Sequence, residues 1–168
     1  MSPRHGEYRM LMRGLVLAFL IAGRAAAADF TTVTPDQLTW REVPNSHGVR
    51  AAVVSGDPSK PGLYVIRVRF PPHIMDRPHT HSQDRYVTVL EGRWVAGTGA
   101  QFDPAAAKPM PAGSYMFHPA GAVHWDGSNS AEPALVQIIG MGPVTSADVD
   151  PAQPSWVKTD TEVANKGF

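Results

Sequence analysis

Two histidines separated by a single residue, His79 and His81, are the most informative chemical feature of the sequence. Side chains of an extended strand alternate between its two faces, so residues i and i+2 project to the same side. A third histidine, His124, follows in a segment rich in proline and glycine. Three imidazoles suit zinc, iron, copper or nickel and leave coordination positions open to water or a substrate. We therefore predict a metal site that is built on strands.

Short β-rich runs separated by turns are the elements that must position these histidines. The chain has 168 residues with 16 prolines and 15 glycines, a composition that favours many turns. The runs recur at about ten-residue spacing, which indicates a barrel or sandwich, with turns at dipeptides such as Glu91-Gly92. A short helix is predicted over residues 103–108, with Asp103 as its cap and Pro104 at its first position. The predicted strands span residues 38–43, 49–54, 63–70, 77–82, 85–90, 93–97, 114–118, 123–126 and 134–140.

The strand predicted over residues 63–70 shows how such a barrel buries its core. One of its faces is uniformly apolar, and the opposite face mixes apolar residues with Arg67 and Arg69. We expect the first face to be buried and the second to be partly solvated. The residues of the apolar face are Tyr64, Ile66, Val68 and Phe70. With 43% apolar residues, the chain can build one such core, as expected for a single domain.

The first 28 residues have the features of a secretory signal peptide. Basic residues extend to Arg13, an apolar stretch covers residues 14–23, and three alanines precede Asp29. The apolar stretch is roughly half as long as a membrane crossing requires. We therefore predict cleavage between Ala28 and Asp29, and a periplasmic or secreted mature protein that is not embedded in the membrane. An uncleaved tether or a different start site is the alternative, because Arg24 is unusual at its position.

Composition also excludes several classes of function. The chain has no cysteine, so disulfides, thiolate metal ligands and cysteine nucleophiles are excluded. Four of its 15 basic residues but only one of its 15 acidic residues, Glu7, lie in the predicted signal peptide, which leaves the remainder with a net charge of about −3. No long basic stripe is present there, so we expect no binding of nucleic acid.

The chemistry-bearing residues fall into two motifs that resemble those of the cupin superfamily. The first cupin motif has His-x-His, then a glutamate, then a glycine, and it is matched here by His79, His81 and Gly92. The second motif, G-x5-P-x-G-x2-H-x3-N, is matched through His124, with a serine at the place of the final asparagine. Its matching residues are Gly113, Pro119, Gly121 and His124, with Ser128 at the asparagine position and Asn129 beside it. The resemblance covers residues 49–142.

This resemblance implies a fold, a cofactor and an assembly. It implies an all-β jelly-roll barrel of the cupin type, in a single domain preceded by the signal peptide. It also implies that His79, His81 and His124 converge on one divalent ion. Fe(II) or zinc is the expected metal, and Mn, Ni or Cu would also suit the site. Because single-domain cupins often pair through strand edges, we expect a homodimer.

Arg85 is the departure from the cupin pattern that bears on chemistry. Cupins of this type usually carry a glutamate ligand seven residues before the motif glycine, and this sequence has Arg85 there. Arg85 shares the predicted inward face of its strand with Val87. Two positive charges within about 5 Å repel by several kcal/mol, so a negative group should lie nearby. This negative group is either Asp84 or Asp126 of the protein, or the anionic group of a small substrate that Arg85 would position. The alternative is that Arg85 simply pairs with a neighbouring carboxylate or turns to solvent. A second departure puts His73 where a glycine is usual, which reshapes a turn.

Two more residues are candidates for substrate binding. His118 lies six residues before His124 and is a fourth ligand, a base beside the metal, or simply a histidine at a strand end. Gln137 lies in an apolar strand and would reach the site as a hydrogen-bond donor or acceptor; a buried glutamine needs partners in any case.

The predicted organisation has four parts: a signal peptide over residues 1–28, an N-terminal arm over 29–48, the barrel over 49–142 and a loose C-terminal tail over 143–168.

The leading hypothesis for function is a metal-dependent, dioxygenase-like oxidoreductase that acts on a small anionic or enolisable substrate. The alternatives are a non-catalytic module that binds or senses a small ligand, and a zinc-dependent isomerase or hydrolase.

Overall fold

The computed structural model describes residues 29–159, and the predicted signal peptide lies outside them. The chain divides into two units after Thr32, and residues 29–32 of the first are exposed and have no regular element. Two single-turn 3₁₀ helices, Pro35–Gln37 and Pro104–Ala106, accompany the strands. The strands are β1 (Arg41–Glu42), β2 (Arg50–Ser55), β3 (Gly62–Phe70), β4 (Ile74–His81), β5 (Arg85–Thr98), β6 (Lys108–Pro111), β7 (Tyr115–His118), β8 (His124–Gly127), β9 (Ala134–Gly142), β10 (Ser146–Asp148) and β11 (Trp156–Lys158).

All strand pairs of the described residues are antiparallel, in the order β1-β2-β3-β9-β5-β8-β4-β10. In addition, β11 pairs with β4, and β6 and β7 pair with β5. The sheet curls on itself, so the all-β jelly-roll barrel that the sequence predicts is confirmed. Among the described residues, no helix is long and apolar enough to cross a membrane.

Strand β5 connects the two halves of the barrel. Its first half pairs with β7 and β9, and its second half pairs with β6 and β8. The register shifts between Val89 and Glu91, and Gly92 follows with φ of 70°. The turn predicted at Glu91-Gly92 is therefore wrong: these residues form a bulge that lets one continuous strand serve both sheets.

The core lies between the two halves and is built from the inward faces of the strands. Tyr64 of β3 is completely buried and Phe70 is 4% exposed, whereas Leu63 on the other face is 58% exposed. Val87 and Val89 of β5 pack in the same cluster. The predicted burial of one face of this strand is thus observed, and the apolar wall it forms also lines the cavity described below.

The segments that flank the predicted barrel contribute strands to it. Residues 146–148 and 156–158 pair with β4, where the sequence suggests only a loose tail. The predicted helix over 103–108 is a single 3₁₀ turn capped by the carboxylate of Asp103, and residues from Lys108 onward form β6 instead. The two C-terminal strands and β6 are too short to show a periodic pattern in the sequence. Their stability comes mainly from the strands with which they pair.

Candidate metal centre

Strands β4 and β8 bring the three predicted histidines together. His79 lies opposite His124 in the antiparallel ladder, and His81 follows two positions later on β4. All three are nearly inaccessible to solvent, with 3–5% of their surface exposed. Nε2 of His79 lies 3.2 Å from Nε2 of His81, and one nitrogen from each of the three rings falls within 4.8 Å of the others. The structure therefore brings together the three histidines whose convergence the cupin resemblance implies.

The other ring nitrogen of each histidine has an oxygen partner that fixes the ring. Nδ1 of His79 lies 2.7 Å from the carbonyl oxygen of Arg77, and Nδ1 of His124 lies 3.1 Å from that of Ala122. Because a carbonyl only accepts, these Nδ1 atoms donate, so in the neutral ring the lone pair lies on Nε2. Nδ1 of His81 lies 2.8 Å from Oγ of Ser146, which comes from β10. Such partners are typical of metal-binding histidines.

These residues fit a divalent ion. Metal–nitrogen bonds of about 2.0–2.1 Å place neighbouring ligand nitrogens about 3 Å apart, as they are in His79 and His81. Nε2 of His124 is buried and has no hydrogen-bond partner among residues 29–159, although a buried polar atom normally has one. Burial is the main cause that lowers the pKa of His81 and of His124, so both rings are neutral and ready to bind a metal.

Two carboxyl groups adjoin the histidines. Asp126 accepts a hydrogen bond of 3.2 Å from Nε1 of Trp94, and its other oxygen lies 3.8 Å from Nε2 of His124. Asp76 has an oxygen 3.6 Å from Nδ1 of His79. Burial, reinforced by the nearby Asp126, raises the pKa of Asp76 to about 9, so its carboxyl holds a proton at neutral pH.

Asp76 is the site residue that sequence reasoning missed. It precedes His79 by three residues, so in a regular strand it would point to the opposite face. The register of β4 against β8 shifts between these two residues, and this irregularity returns Asp76 to the cavity side. The proline at position 78 was the available signal, because proline inside a strand indicates an irregular pairing.

Arg85 points into the same cavity and contacts His81. Its Nη1 lies 2.5 Å from Nε2 and 3.2 Å from Nδ1 of that ring. Among residues 29–159 no carboxylate lies within the 4.0 Å of an ion pair with Arg85, and its buried Nε has no hydrogen-bond partner. Burial lowers the pKa of Arg85, whereas the nearby Tyr64 and Asp126 act to raise it. Asp84, one of the two expected counter-charges, instead accepts from the backbone N–H of Ala120 at the surface.

His118 also enters the cluster. It lies beside Arg85 in the ladder between β5 and β7, and its ring centroid is 3.8 Å from that of His124. Together with His124 and Asp126 it forms a second group whose ligand atoms lie within 4.8 Å of one another. Both of its ring nitrogens lack a partner among the described residues, and burial lowers its pKa to about 3. His118 is therefore a neutral imidazole whose nitrogens are available to a metal or to a hydrogen-bond donor.

Gln137 does not reach the site, and the expectation that it does is not met. Its neighbours in β9, Val136 and Ile138, line the cavity, so Gln137 projects from the opposite face. Its Oε1 accepts a hydrogen bond of 3.3 Å from Nε of Arg67 on the outside of the sheet. The residues around Gln137 are apolar on both faces of β9, so the sequence does not indicate which face points inward.

The cavity in front of the cluster has a volume of about 250 Å³. Polar residues lie at one end of it, and the remaining walls are almost entirely apolar. This space accommodates a small molecule and little else. The apolar lining residues are Val43, Ala51, Ile66, Val68, Phe70, Val87, Trp94, Val136, Ile138 and Trp156.

Comparison with known protein families identifies the domain. The model of the ChrR cupin-like domain matches residues 28–144. The chain belongs to this cupin family. No curated protein sequence matches the chain significantly. Within the cupin domain, the match includes the three clustered histidines and Arg85, but it ends before Ser146 and Trp156.

Solved cupin structures share the fold at low sequence identity. The polyketide cyclase RemF from Streptomyces resistomycificus superimposes with a TM-score of 0.63 at 13% identity, over 76% of this chain and 90% of that one. An RmlC-like cupin from Ralstonia eutropha gives 0.56 at 19% identity, over 72% and 74% of the two chains. The DMSP lyase DddQ from Ruegeria pomeroyi gives 0.56 at 15% identity, over 70% and 64%. At these identities the likeness establishes the cupin fold and leaves the chemistry to the site.

Proposed function

We propose that this protein is a metal-dependent cupin enzyme, a dioxygenase-like oxidoreductase that acts on a small anionic or enolisable substrate. The observation that carries the proposal is the meeting of His79, His81 and His124 with the guanidinium of Arg85 at one end of an apolar cavity. Three neutral imidazoles leave the metal with its full positive charge and with open positions. A cationic substrate would not suit two adjacent positive centres, whereas an anion, or a neutral molecule that binds as its enolate, would.

Each group in the cavity has a role in this proposal. A bound Fe(II) would supply the Lewis acidity and the electrons that reaction with dioxygen requires. Arg85 would bind the anionic group of the substrate through paired N–H donors and so orient it. The apolar walls, which include Ile66 and Val136, would exclude water from the reacting groups.

A second candidate, metal-dependent proton transfer with zinc, is favoured by the acid–base pair in the same cavity. Asp76 holds a proton because its pKa is raised to about 9, and His118 is unprotonated because its pKa is lowered to about 3. A proton donor and an unprotonated imidazole that line one cavity are groups that an isomerase or lyase uses. The fold neighbours include a polyketide cyclase and a DMSP lyase, whose names describe cyclisation and elimination.

Metal content and oxygen consumption test the proposal. We expect the purified protein to contain iron by mass spectrometry and to consume oxygen when β-diketones or other enolisable acids are added. Tightly bound zinc, with isomerisation or elimination and no oxygen consumption, would support the second candidate instead. Ligand binding without turnover of any kind would show a binding module. Failure to bind any divalent metal after reconstitution would contradict all of these functions.

We also propose that the protein is exported and acts as a homodimer. Support for export is the charge and hydropathy pattern of the first 28 residues. Sequencing of the N-terminus of the exported protein should find Asp29, and an intact Met1 would contradict cleavage. The mass in solution, by light scattering, should be that of two chains, and a monomeric mass would contradict the dimer.

A further inference from the structure

We propose that the charge of Arg85 weakens metal binding at the three histidines, and that a small carboxylate offsets this charge, so that the carboxylate and the metal bind cooperatively. The proposal rests on the proposed function, because it assigns regulation to the same metal site. It concerns three groups in the cavity: the Nε2 atom of His81, the guanidinium of Arg85 and the metal.

The first step concerns where the guanidinium of Arg85 lies. Its Nη1 is 2.5 Å from Nε2 and 3.2 Å from Nδ1 of His81. An atom on the in-plane lone pair of Nε2 would lie much farther from Nδ1 than from Nε2, so the guanidinium is over the face of the ring. The lone pair of Nε2 remains available to a metal, but the metal would then lie close to a permanent positive charge. Repulsion between the two cations therefore weakens metal binding.

The second step is that Arg85 lacks an anion. Among residues 29–159 it has no ion pair, and its buried Nε has no hydrogen-bond partner. The carboxylate of Asp126 instead accepts from Trp94, and the carboxyl of Asp76 adjoins His79. A buried guanidinium usually has a carboxylate or phosphate partner with two parallel hydrogen bonds. A carboxylate small enough for a cavity of about 250 Å³ would supply that partner.

The third step joins the two equilibria. A carboxylate that pairs with Arg85 brings a negative charge that offsets the repulsion between the guanidinium and the dication. Because binding linkage is reciprocal, the carboxylate must raise metal affinity by the same factor as the metal raises carboxylate affinity.

Titration of the metal-free protein with Co²⁺, followed by the visible absorption of the bound ion, tests this coupling. Acetate is the probe anion, because it chelates free Co²⁺ only weakly. We expect acetate at saturation to tighten Co²⁺ binding to the wild type by about fivefold or more, the range typical of coupled sites. Arg85→Gln should bind Co²⁺ about tenfold more tightly than the wild type without acetate, and acetate should no longer change its affinity.

Matched controls separate this effect from general changes of charge. Arg67→Gln removes an arginine from the outer face of β3, where it contacts Gln137, and it should leave both Co²⁺ affinity and acetate coupling at wild-type values. Arg85→Glu introduces the carboxylate usual at this position in cupins and should give the tightest Co²⁺ binding of the set. Circular dichroism checks that each variant is folded. If Arg85→Gln does not fold, Arg85→Met, which also removes the charge and keeps a long side chain, takes its place in both comparisons.

The outcomes distinguish this proposal from the function on which it rests. Unchanged or weaker Co²⁺ binding by folded Arg85→Gln would overturn the effect of the Arg85 charge on metal affinity. Equal acetate effects on wild type and on Arg85→Gln would do the same, even if the enzyme turns over a substrate. Coupling without turnover of any tested substrate would overturn the enzymatic function and leave the coupling intact. Absence of Co²⁺ binding in every form would overturn both.

Discussion

Oγ of Ser146 lies 2.8 Å from Nδ1 of His81, although the two residues are 65 positions apart in the chain. Ser146 begins β10, which pairs with residues 79–81 of β4. The match to the ChrR cupin-like domain ends at residue 144, so this contact comes from a segment beyond the family domain. The C-terminal segment therefore contributes directly to the orientation of one of the candidate metal ligands.

Removing this hydroxyl should weaken metal binding. Ser146→Ala leaves His81 without the partner that orients its ring, and losses of such partners typically reduce metal affinity by about 10- to 100-fold. Competition for Zn²⁺ with a chromophoric chelator measures the change. Ser155→Ala is the matched control, because Ser155 lies in the same segment but donates to Asp148. Equal affinities of Ser146→Ala and wild type would contradict the role of this contact.

The same segment should stabilise the barrel through Trp156. This side chain is partly buried, lines the cavity and packs against Phe70 with ring centroids 6.1 Å apart. We expect Trp156→Ala to lower the free energy of unfolding by about 2 kcal/mol, less than for a fully buried tryptophan. Val149→Ala, at a site that is 42% exposed, should change it by less than about 0.5 kcal/mol. Urea denaturation measures both, and equal effects would indicate that β11 is not docked.

Gly92 should be among the least replaceable glycines of the fold. Its φ is 70°, and a Cβ atom there would lie 1.9 Å from the carbonyl oxygen of Pro133. Gly92→Ala must therefore displace backbone as well as adopt a strained conformation, so we expect a loss of about 3 kcal/mol or more. Gly113→Ala, with φ of 89° and open space around its Cβ, should lose only about 1 kcal/mol. Thermal unfolding measures both variants. Similar losses of stability in the two would show that the backbone at Pro133 moves aside at little cost.

Acidification should destabilise the metal-free protein partly through His118. Burial lowers its pKa from 6.5 to about 3, so the unfolded chain takes up this proton first as the pH falls. Its contribution to stability is therefore present above about pH 6.5 and is lost on the way down to about pH 3. Between about pH 7.5 and about pH 5.5, wild type should lose roughly 1 kcal/mol more than His118→Gln. Urea denaturation with a chelator present measures this, and parallel pH profiles would refute it.

Some features of the fold could be predicted from the sequence because they depend only on residues that are neighbours in the chain. Alternation over residues 63–70 identifies β3 and its buried face, and the spacing of His79 and His81 places them on one side of β4. Gly92 shows the opposite case. A glycine with positive φ suits a turn or a bulge equally well, and only pairing of β5 with both β9 and β8 selects the bulge.

The sequence by itself determined the all-β class and the position of His79 and His81 on one face of a strand. Its two motifs pointed to His124 and to Arg85 as members of the same site. These features follow from the period of a strand and from motif spacing, which are local properties. Tertiary structure decided the rest: it turned Asp76 inward, turned Gln137 outward, and brought Ser146 to His81. The direction of a side chain after a bulge, and contacts between distant segments, depend on which strands pair and in which register, and no local pattern specifies that.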